Sequence, residues 1–315
     1  MMAKPTHESH PLNLIGQMAQ ILHKRLQSAG DFSTAIPNLS LHRRNRPTET
    51  IHCVYTLGLA LTLEGSKTIT SGQTELNYGA GQSLLVSLDL PVSYRITRAT
   101  ASQPYLALML KLDMAQLAQA AAALANQREA TSRNSAAKRP TDSALDFVSL
   151  SVARPDARLL DTLYRLLLAL DESMLLGPLT PLLEQEILLR LLTSAHGPQL
   201  HRLVQSAGSA QRIAEAVTWI RNHFADEMRV EDLADTTHMS PTTFRQHFRT
   251  MTGMSPVQFQ KRLRLQQARQ LMVDQSMSAG SASALVGYES ASQFNREYRR
   301  LFGAPPQTDV RRILQ

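Results

Sequence analysis

Apolar residues recur along this 315-residue chain with different rhythms in different stretches. Between Leu12 and Ser28 they return at Leu14, Met18, Ile21, Leu22 and Leu26. That spacing predicts an amphipathic helix. From about 39 to 112 the rhythm shortens. The run Cys53–Leu63 (CVYTLGLALTL) reads as one strand. After it come KTIT, TELNY, SLLVSL, VSYRI and YLALMLKL, punctuated by Gly65, Gly72, Gly79 and Gly81. Short strands at regular spacing with glycine turns predict a small β-barrel or sandwich. Within 53–63, Cys53, Tyr55, Leu57, Leu59, Leu61 and Leu63 share one parity, and Thr56, Gly58, Ala60 and Thr62 the other. Small residues turned to a barrel interior would leave room for a ligand; turned to solvent they would need no such reason.

Residues 113–127 (DMAQLAQAAAALANQ) predict an Ala-rich helix. Residues 128–143 have no apolar periodicity and predict a linker. Two Leu-rich helices follow, at 156–173 and 181–193 (about 156–194 together). Apolar residues cover more than one face of each, so both must pack against the rest of their domain or against a second copy of the chain. From Gly208 the pattern is helical throughout.

The last third contains an internal repeat. Ser240–Pro256 (SPTTFRQHFRTMTGMSP) and Ser290–Pro306 (SASQFNREYRRLFGAPP) match at an offset of 50 residues. Each copy follows a short helix candidate, Val230–Thr236 and about Ser278–Val286, and a turn. His238 stands in the first turn and Gly287 in the second. Both residue types tolerate positive φ. Short helix, turn and second helix, twice over, is the helix-turn-helix arrangement, with units at about 230–251 and 278–302. On the second helices Phe244, Phe248 and Met251, and Phe294, Tyr298 and Leu301, form apolar stripes. The outer faces carry Thr242, Thr243, Arg245, Gln246 and Arg249, and Ser292, Gln293, Asn295, Arg296 and Arg299. Arg, Gln and Asn can read guanine and adenine edges bidentately, so these ten are the base-reading candidates. Ser240 and Ser290 stand at N-caps, where backbone N–H groups can hold a phosphate. Lys261, Arg262 and Arg300 are further phosphate candidates. The connecting segment 255–274 is free of Gly and of internal Pro beyond its first turn. A helix of that length spans roughly 30 Å, close to the ~34 Å repeat of one DNA face. One rigid connector could place both reading helices in adjacent major grooves.

Charge sharpens this. The chain carries a formal +7, but residues 201–315 hold 15 Lys plus Arg against 10 acids, and only Lys261 among them is lysine. The anionic partner implied is double-stranded DNA. A single Cys excludes a disulfide framework and multi-cysteine zinc or iron–sulfur sites. No apolar run approaches the ~20 residues that span a bilayer, and the polar first ten residues hold no secretory signal. The expectation is a cytoplasmic protein with no membrane partner.

The segments LADTTHMSPTTFRQHFRTMTGMSPVQFQKRLRLQQARQLM (233–272) and VGYESASQFNREYRRLFGAPP (286–306) resemble the AraC/XylS family of bacterial transcription regulators. The resemblance covers about 100 residues. It implies DNA binding by two joined helix-turn-helix units, with base contacts at Thr242, Arg245 and Gln246, then Ser292, Asn295 and Arg296. Ala282–Ser283 depart from the family's usual Ile–Ala and weaken the apolar anchor of the second unit. TAIPNLSLHRRNRPTETIHCVYTLGLALTLEGSKTI (34–69) and YGAGQSLLVSLDLPVSYRIT (78–97) resemble a subgroup of the family's N-terminal domains. That likeness implies a cupin-like β-barrel that senses a small molecule or mediates dimerisation.

The expected architecture is therefore α+β in two domains. Residues 1–200 form a cupin-like β-barrel with flanking helices, and 208–310 an all-α double helix-turn-helix module. A small-molecule effector, a homodimer and, for an activator, RNA polymerase are the further partners expected. Tyr55, Tyr78, Tyr94 and Arg95 are the candidate ligand residues, Arg95 for an anionic effector. The alternatives are an N-terminal domain that only dimerises, and a cupin-type enzyme with an appended DNA-binding module. Metal-dependent cupins use a His-x-His pair, which this sequence lacks; His42 and His52 could meet only across strands. No metal, cofactor or catalytic residue is expected. Cys53 shares the bulky apolar parity and is read as packing rather than as a reactive thiol.

Overall fold

A computed structural model describes residues 11–131, 147–205 and 208–314. The chain opens with helix α1 (Pro11–Arg25) and nine strands: β1 (Gly30–Ser33), β2 (Leu39–Arg44), β3 (Ile51–Tyr55), β4 (Gly58–Glu64), β5 (Ser66–Ser71), β6 (Thr74–Gly79), β7 (Ser83–Val86), β8 (Leu90–Arg98) and β9 (Tyr105–Lys111). Helix α2 (Met114–Thr131), strand β10 (Leu150–Ala153), α3 (Ala157–Ala169), α4 (Leu176–Thr193) and α5 (Gly197–Val204) follow. Two antiparallel sheets result, ordered β1-β2-β9-β4-β7-β10 and β3-β8-β5-β6.

The single strand expected over 53–63 is two strands in different sheets. β3 pairs with β8, whereas β4 pairs with β7 and β9. The chain changes sheet at Thr56–Leu57, where the Asp89 carboxylate accepts the Leu57 backbone N–H at 3.1 Å. The parity argument holds within β4. Leu59, Leu61 and Leu63 are fully buried under the helical layer, while Ala60 turns towards the space between the sheets. β1 and β10 lie outside the expected strand region and add one strand to each edge of the larger sheet. Helix α2 also runs four residues into the expected linker, and the remainder of that linker, from 132, lies outside the described residues.

The Leu-rich helices are satisfied within the chain. α3 buries Leu159, Leu160, Leu163, Leu166 and Leu167, and α4 buries Leu183, Ile187, Leu188, Leu191 and Leu192. α4 begins at Leu176, five residues before Pro181, so the proline lies inside its first turns rather than opening it. Met174, Leu175 and Leu182 stay exposed at this corner.

The remainder is helical: α6 (Ser209–Asn222), α7 (Val230–Thr236), α8 (Pro241–Thr252), α9 (Pro256–Asp274), α10 (Ala279–Leu285), α11 (Ala291–Phe302) and α12 (Pro306–Leu314). The local signals act as expected. Ser240 and Ser290 accept the backbone N–H groups of Thr243 and Gln293 at 3.2 and 3.3 Å. Ser255 and Gln258 close a capping box with Pro256 at the first turn of α9. His238 and Gly287 take φ of 52° and 82° in the two turns.

Candidate functional site

The two helix-turn-helix units are α7–α8 and α10–α11, joined by the 19-residue α9. α8 turns Phe244, Phe248 and Met251 inward, and α11 turns Phe294 and Tyr298 inward. Thr242, Arg245, Gln246 and Arg249, and Ser292, Asn295, Arg296 and Arg299, are left exposed. Thr243 and Gln293, at matching positions, are half-buried and engaged locally. The Thr243 hydroxyl lies 2.8 Å from the Ser240 Oγ, and the Gln293 amide donates to Glu297 Oε1 at 3.2 Å. Arg245 is paired with Glu231 at 2.5 Å. Arg249, Arg296, Arg299 and Arg300 make no ion pair among the described residues.

The phosphate candidates divide. Ser240, Ser290 and Arg300 are exposed at helix ends. Lys261 is bound to Glu297 at 2.7 Å, and Tyr288 donates its hydroxyl to the same carboxylate at 2.8 Å. Desolvation pushes the Glu297 carboxyl up, but the bonds from Lys261, Gln293 and Tyr288 outweigh it and hold it below its ordinary value. Lys261 and Arg262 lie in a recess of about 520 Å³ between the units, together with Arg249, Arg300 and the β5–β6 turn residues Gly72 and Gln73.

That turn is where the two halves of the chain touch. Gly72 and Gly253 are both at positive φ and meet backbone to backbone. A Cβ on Gly72 would overlap the Gly253 carbonyl, and Gly253 is the C-cap of α8. Further along, the Gln266 amide on α9 donates to the Cys53 and Val92 carbonyls at 3.0 and 3.3 Å. Arg221 pairs with Asp89, the carboxylate that pins the sheet change. The His52 ring packs edge-on against Phe302 at 5.0 Å.

The second feature is a cavity of about 260 Å³ between the two sheets. Tyr55 and Tyr94, two of the four ligand candidates, line it. Tyr78 is buried in the apolar core instead, its hydroxyl without a hydrogen-bond partner among the described residues. Arg95 is a correction. It follows Tyr94 on β8, and successive strand residues face opposite ways. Arg95 is therefore exposed, beside Glu49, Arg269 and Arg312. The polar groups in the cavity are others: Asp31, His42, Arg44 and Lys67. Arg44 grips Asp31 with two bonds of 2.8 and 2.7 Å, and His42 Nδ1 lies 2.6 Å from it. Burial alone would raise the Asp31 carboxyl; the bonds from His42 and Arg44 outweigh it and hold it well below the usual range. Lys67 is only 6% exposed and donates to the Tyr55 hydroxyl. Its signal lay in KTIT, where Lys67 shares strand parity with the fully buried Ile69.

His42 and His52 sit in different sheets with different neighbours. No group of three or more His, Cys, Asp or Glu that could hold a metal occurs among the described residues. Burial pushes the Cys53 thiol up to about 12, so at neutral pH it carries little nucleophilic thiolate. No helix among the described residues is long and apolar enough to cross a membrane.

A two-sheet domain with an interior cavity, joined to a pair of helix-turn-helix units, defines a two-domain regulator of the DNA-binding class. The family model described as the AraC-type transcriptional regulator N-terminus matches residues 35–199, more than half of the chain, and a helix-turn-helix domain model matches 233–312. The chain belongs to the AraC-type transcriptional regulators. It is similar to the HTH-type transcriptional activator RhaS of Escherichia coli O9:H4 (strain HS), at 31% identity over 103 residues. That match covers 33% of this chain and 37% of RhaS, so the chain spans little more than a third of the curated relative's length. Among solved structures, apo ToxT from Vibrio cholerae strain SCE256, a single-residue variant, shares the fold with TM-score 0.50 at 8% identity, covering 87% of this chain and 97% of that one. The DNA-binding domain of AdpA, solved in complex with a target DNA, is 30% identical, with TM-score 0.30 and coverage of 31% and 89%.

Proposed function

We propose that this chain is a cytoplasmic, sequence-specific DNA-binding regulator of transcription whose operator affinity is set by a small molecule held between the two sheets. The observation that carries the reading is the pair of exposed, arginine-bearing faces on α8 and α11, held on one connecting helix. Arg245, Gln246, Asn295 and Arg296 read base edges in two adjacent major grooves. Ser240, Ser290 and Arg300 grip phosphates and set register, with Lys261 and Arg262 adding positive field from the recess. The protein acts by binding, with no catalytic step.

Strands β3 and β5 give the effector its lever. Each lines the cavity through Cys53, Tyr55 or Lys67, and each touches the DNA-binding half, β3 at Gln266 and β5 through its turn at Gly253. A ligand that shifts either strand alters how freely α8 moves relative to α11. RhaS is named an activator, and recruitment of RNA polymerase is the corresponding output here. A second copy of the chain joins through the corner of Met174, Leu175 and Leu182, whose apolar side chains face solvent in the monomer. Footprinting with and without a broad metabolite set tests the reading. Protection over two half-turns of one DNA face that changes with a metabolite supports it. Occupancy indifferent to every metabolite removes the sensing half.

A further inference from the structure

We propose that the effector is a small organic monocarboxylate with an apolar body, its carboxylate paired with Lys67 and its body against Tyr55, Tyr94 and Tyr105. This rests on the sensing reading above and names the ligand class for it.

The fold buries one ammonium, that of Lys67, with no ion-pair partner among the described residues. An ammonium has three donors and no acceptor. Lys67 Nζ uses one donor on the Tyr55 hydroxyl and lies over the Tyr94 ring, 3.6 Å from its centroid. No carboxylate is within ion-pair distance of it among the described residues. Buried cations are normally paired, and an unpaired one is costly. Asp31 is the nearby acid, and its two oxygens already take two bonds from Arg44 and one contact from His42, none from Lys67. The groups facing Lys67 are thus Asp31 balanced by Arg44, His42, the Cys53 thiol and the hydroxyls of Tyr55, Tyr94 and Tyr105. Exposed Lys111 stands at the rim. The wall is net positive, and its unspent donors are on Lys67.

The remaining wall fixes the rest of the ligand. Val54, Ile96, Leu108 and Met109 with the tyrosine rings offer apolar contact. A volume of about 260 Å³ lies below the ~300–1,000 Å³ range of drug-sized sites and above the ~150 Å³ that holds a benzene ring. Arg44 is already engaged by Asp31, which leaves a second carboxylate only Lys111 at the rim. Burial holds the Lys67 ammonium down to about 8. A bound carboxylate reverses that, so binding takes up a proton wherever the free lysine is neutral. Affinity should be flat between about pH 6 and pH 8 and fall on the order of tenfold per pH unit above that.

The test is thermal melting of the full-length protein with hexanoate and 3-phenylpropionate, each beside its primary amide, at pH 7 and pH 9.5. The acids should raise the melting temperature by several degrees at pH 7, much less at pH 9.5, and the amides at neither. Lys67→Met should melt cooperatively and lose the response; Tyr94→Phe, which keeps the ring, should retain it. Equal shifts from acids and amides, an undiminished response in Lys67→Met, or no shift from either acid would overturn the proposal. Footprinting across neutral metabolites separates the two readings. If the acids fail but a neutral compound moves operator occupancy, the sensor stands and only the carboxylate class fails; if no compound of any class does, both fall.

Discussion

The first short helix of unit one buries Val230, Leu233 and Ala234; that of unit two buries only Ala282 and Ser283. The hydrogen bonds of the turns align Ala234 with Ser283 and Met239 with Tyr288, an offset of 49. The following serines are 50 apart, so unit two carries one extra residue, Glu289, before its reading helix. With a thinner apolar anchor, unit two is braced by polar contacts. Arg269 pairs with the buried Asp309 at 2.7 and 3.0 Å, and Tyr298 donates to Asp309 at 2.8 Å. Glu297 gathers Lys261, Gln293 and Tyr288, and Arg264 donates to the Gly287 carbonyl at 2.6 Å. Unit one is continuous with the apolar core of the sheet domain, whereas unit two has a small core of its own around Phe294 and Tyr298. One repeat is thus rooted in the apolar core of the sheet domain, whereas the other keeps a core of its own on α9 and meets the sheet domain through His52–Phe302 and Arg312–Glu49. The sheet domain therefore touches the two reading units through different kinds of contact, apolar for the first and mainly polar for the second.

The sharpest way to break this comparison is to empty each core. Phe244→Ala should cost about 3–5 kcal/mol and lower the main calorimetric transition. Phe294→Ala should instead split off an early transition confined to α10–α12 by hydrogen exchange. A single shared transition in both variants would mean the units are not independent. Next in size, Asp309→Asn leaves Arg269 without its charge partner and should cost about 3 kcal/mol, again local to unit two. On DNA, Arg296→Ala should cost about 1–3 kcal/mol and relax preference at one base pair. Arg245→Ala should cost less, because Arg245 must first leave Glu231; equilibrium binding to single-position operator variants measures both. Smallest is Lys261→Ala. Its half-exposed pair with Glu297 contributes about 0–1 kcal/mol. Its effect on the salt slope of binding should stay below the full unit lost with a direct phosphate contact.

The repeat, its caps and its positive-φ turn residues were legible in the sequence because each is local: Ser240, Ser255, Ser290 and His238 act within a few residues of themselves. The inward stripes of α8 and α11 follow from helical period alone. The sheet change at Thr56–Leu57 was not legible, since 53–63 keeps unbroken alternation and the break depends on Asp89, over thirty residues away. The burial of Lys67 is hidden from the sequence for a related reason. Lysine ordinarily marks a solvated position, and only the opposing sheet shows that this one is covered. Arg95 drew notice as the more obvious cation, and strand alternation turns it outward. The extra Glu289 escaped because the match of the reading helices fixes one offset and the first helices, poor in shared residues, do not announce another.

The paired glycines at 72 and 253 carry a genetic consequence. Neither contributes a side chain to the cavity or to the exposed reading faces, yet a methyl group on Gly72 would overlap the Gly253 backbone, and one on Gly253 would be strained by its positive φ. A selection for variants that regulate without their signal should therefore return substitutions at Gly72 as readily as changes around Lys67. Those at Gly72 would uncouple the halves while leaving ligand affinity intact. Such alleles would separate hearing the signal from passing it on.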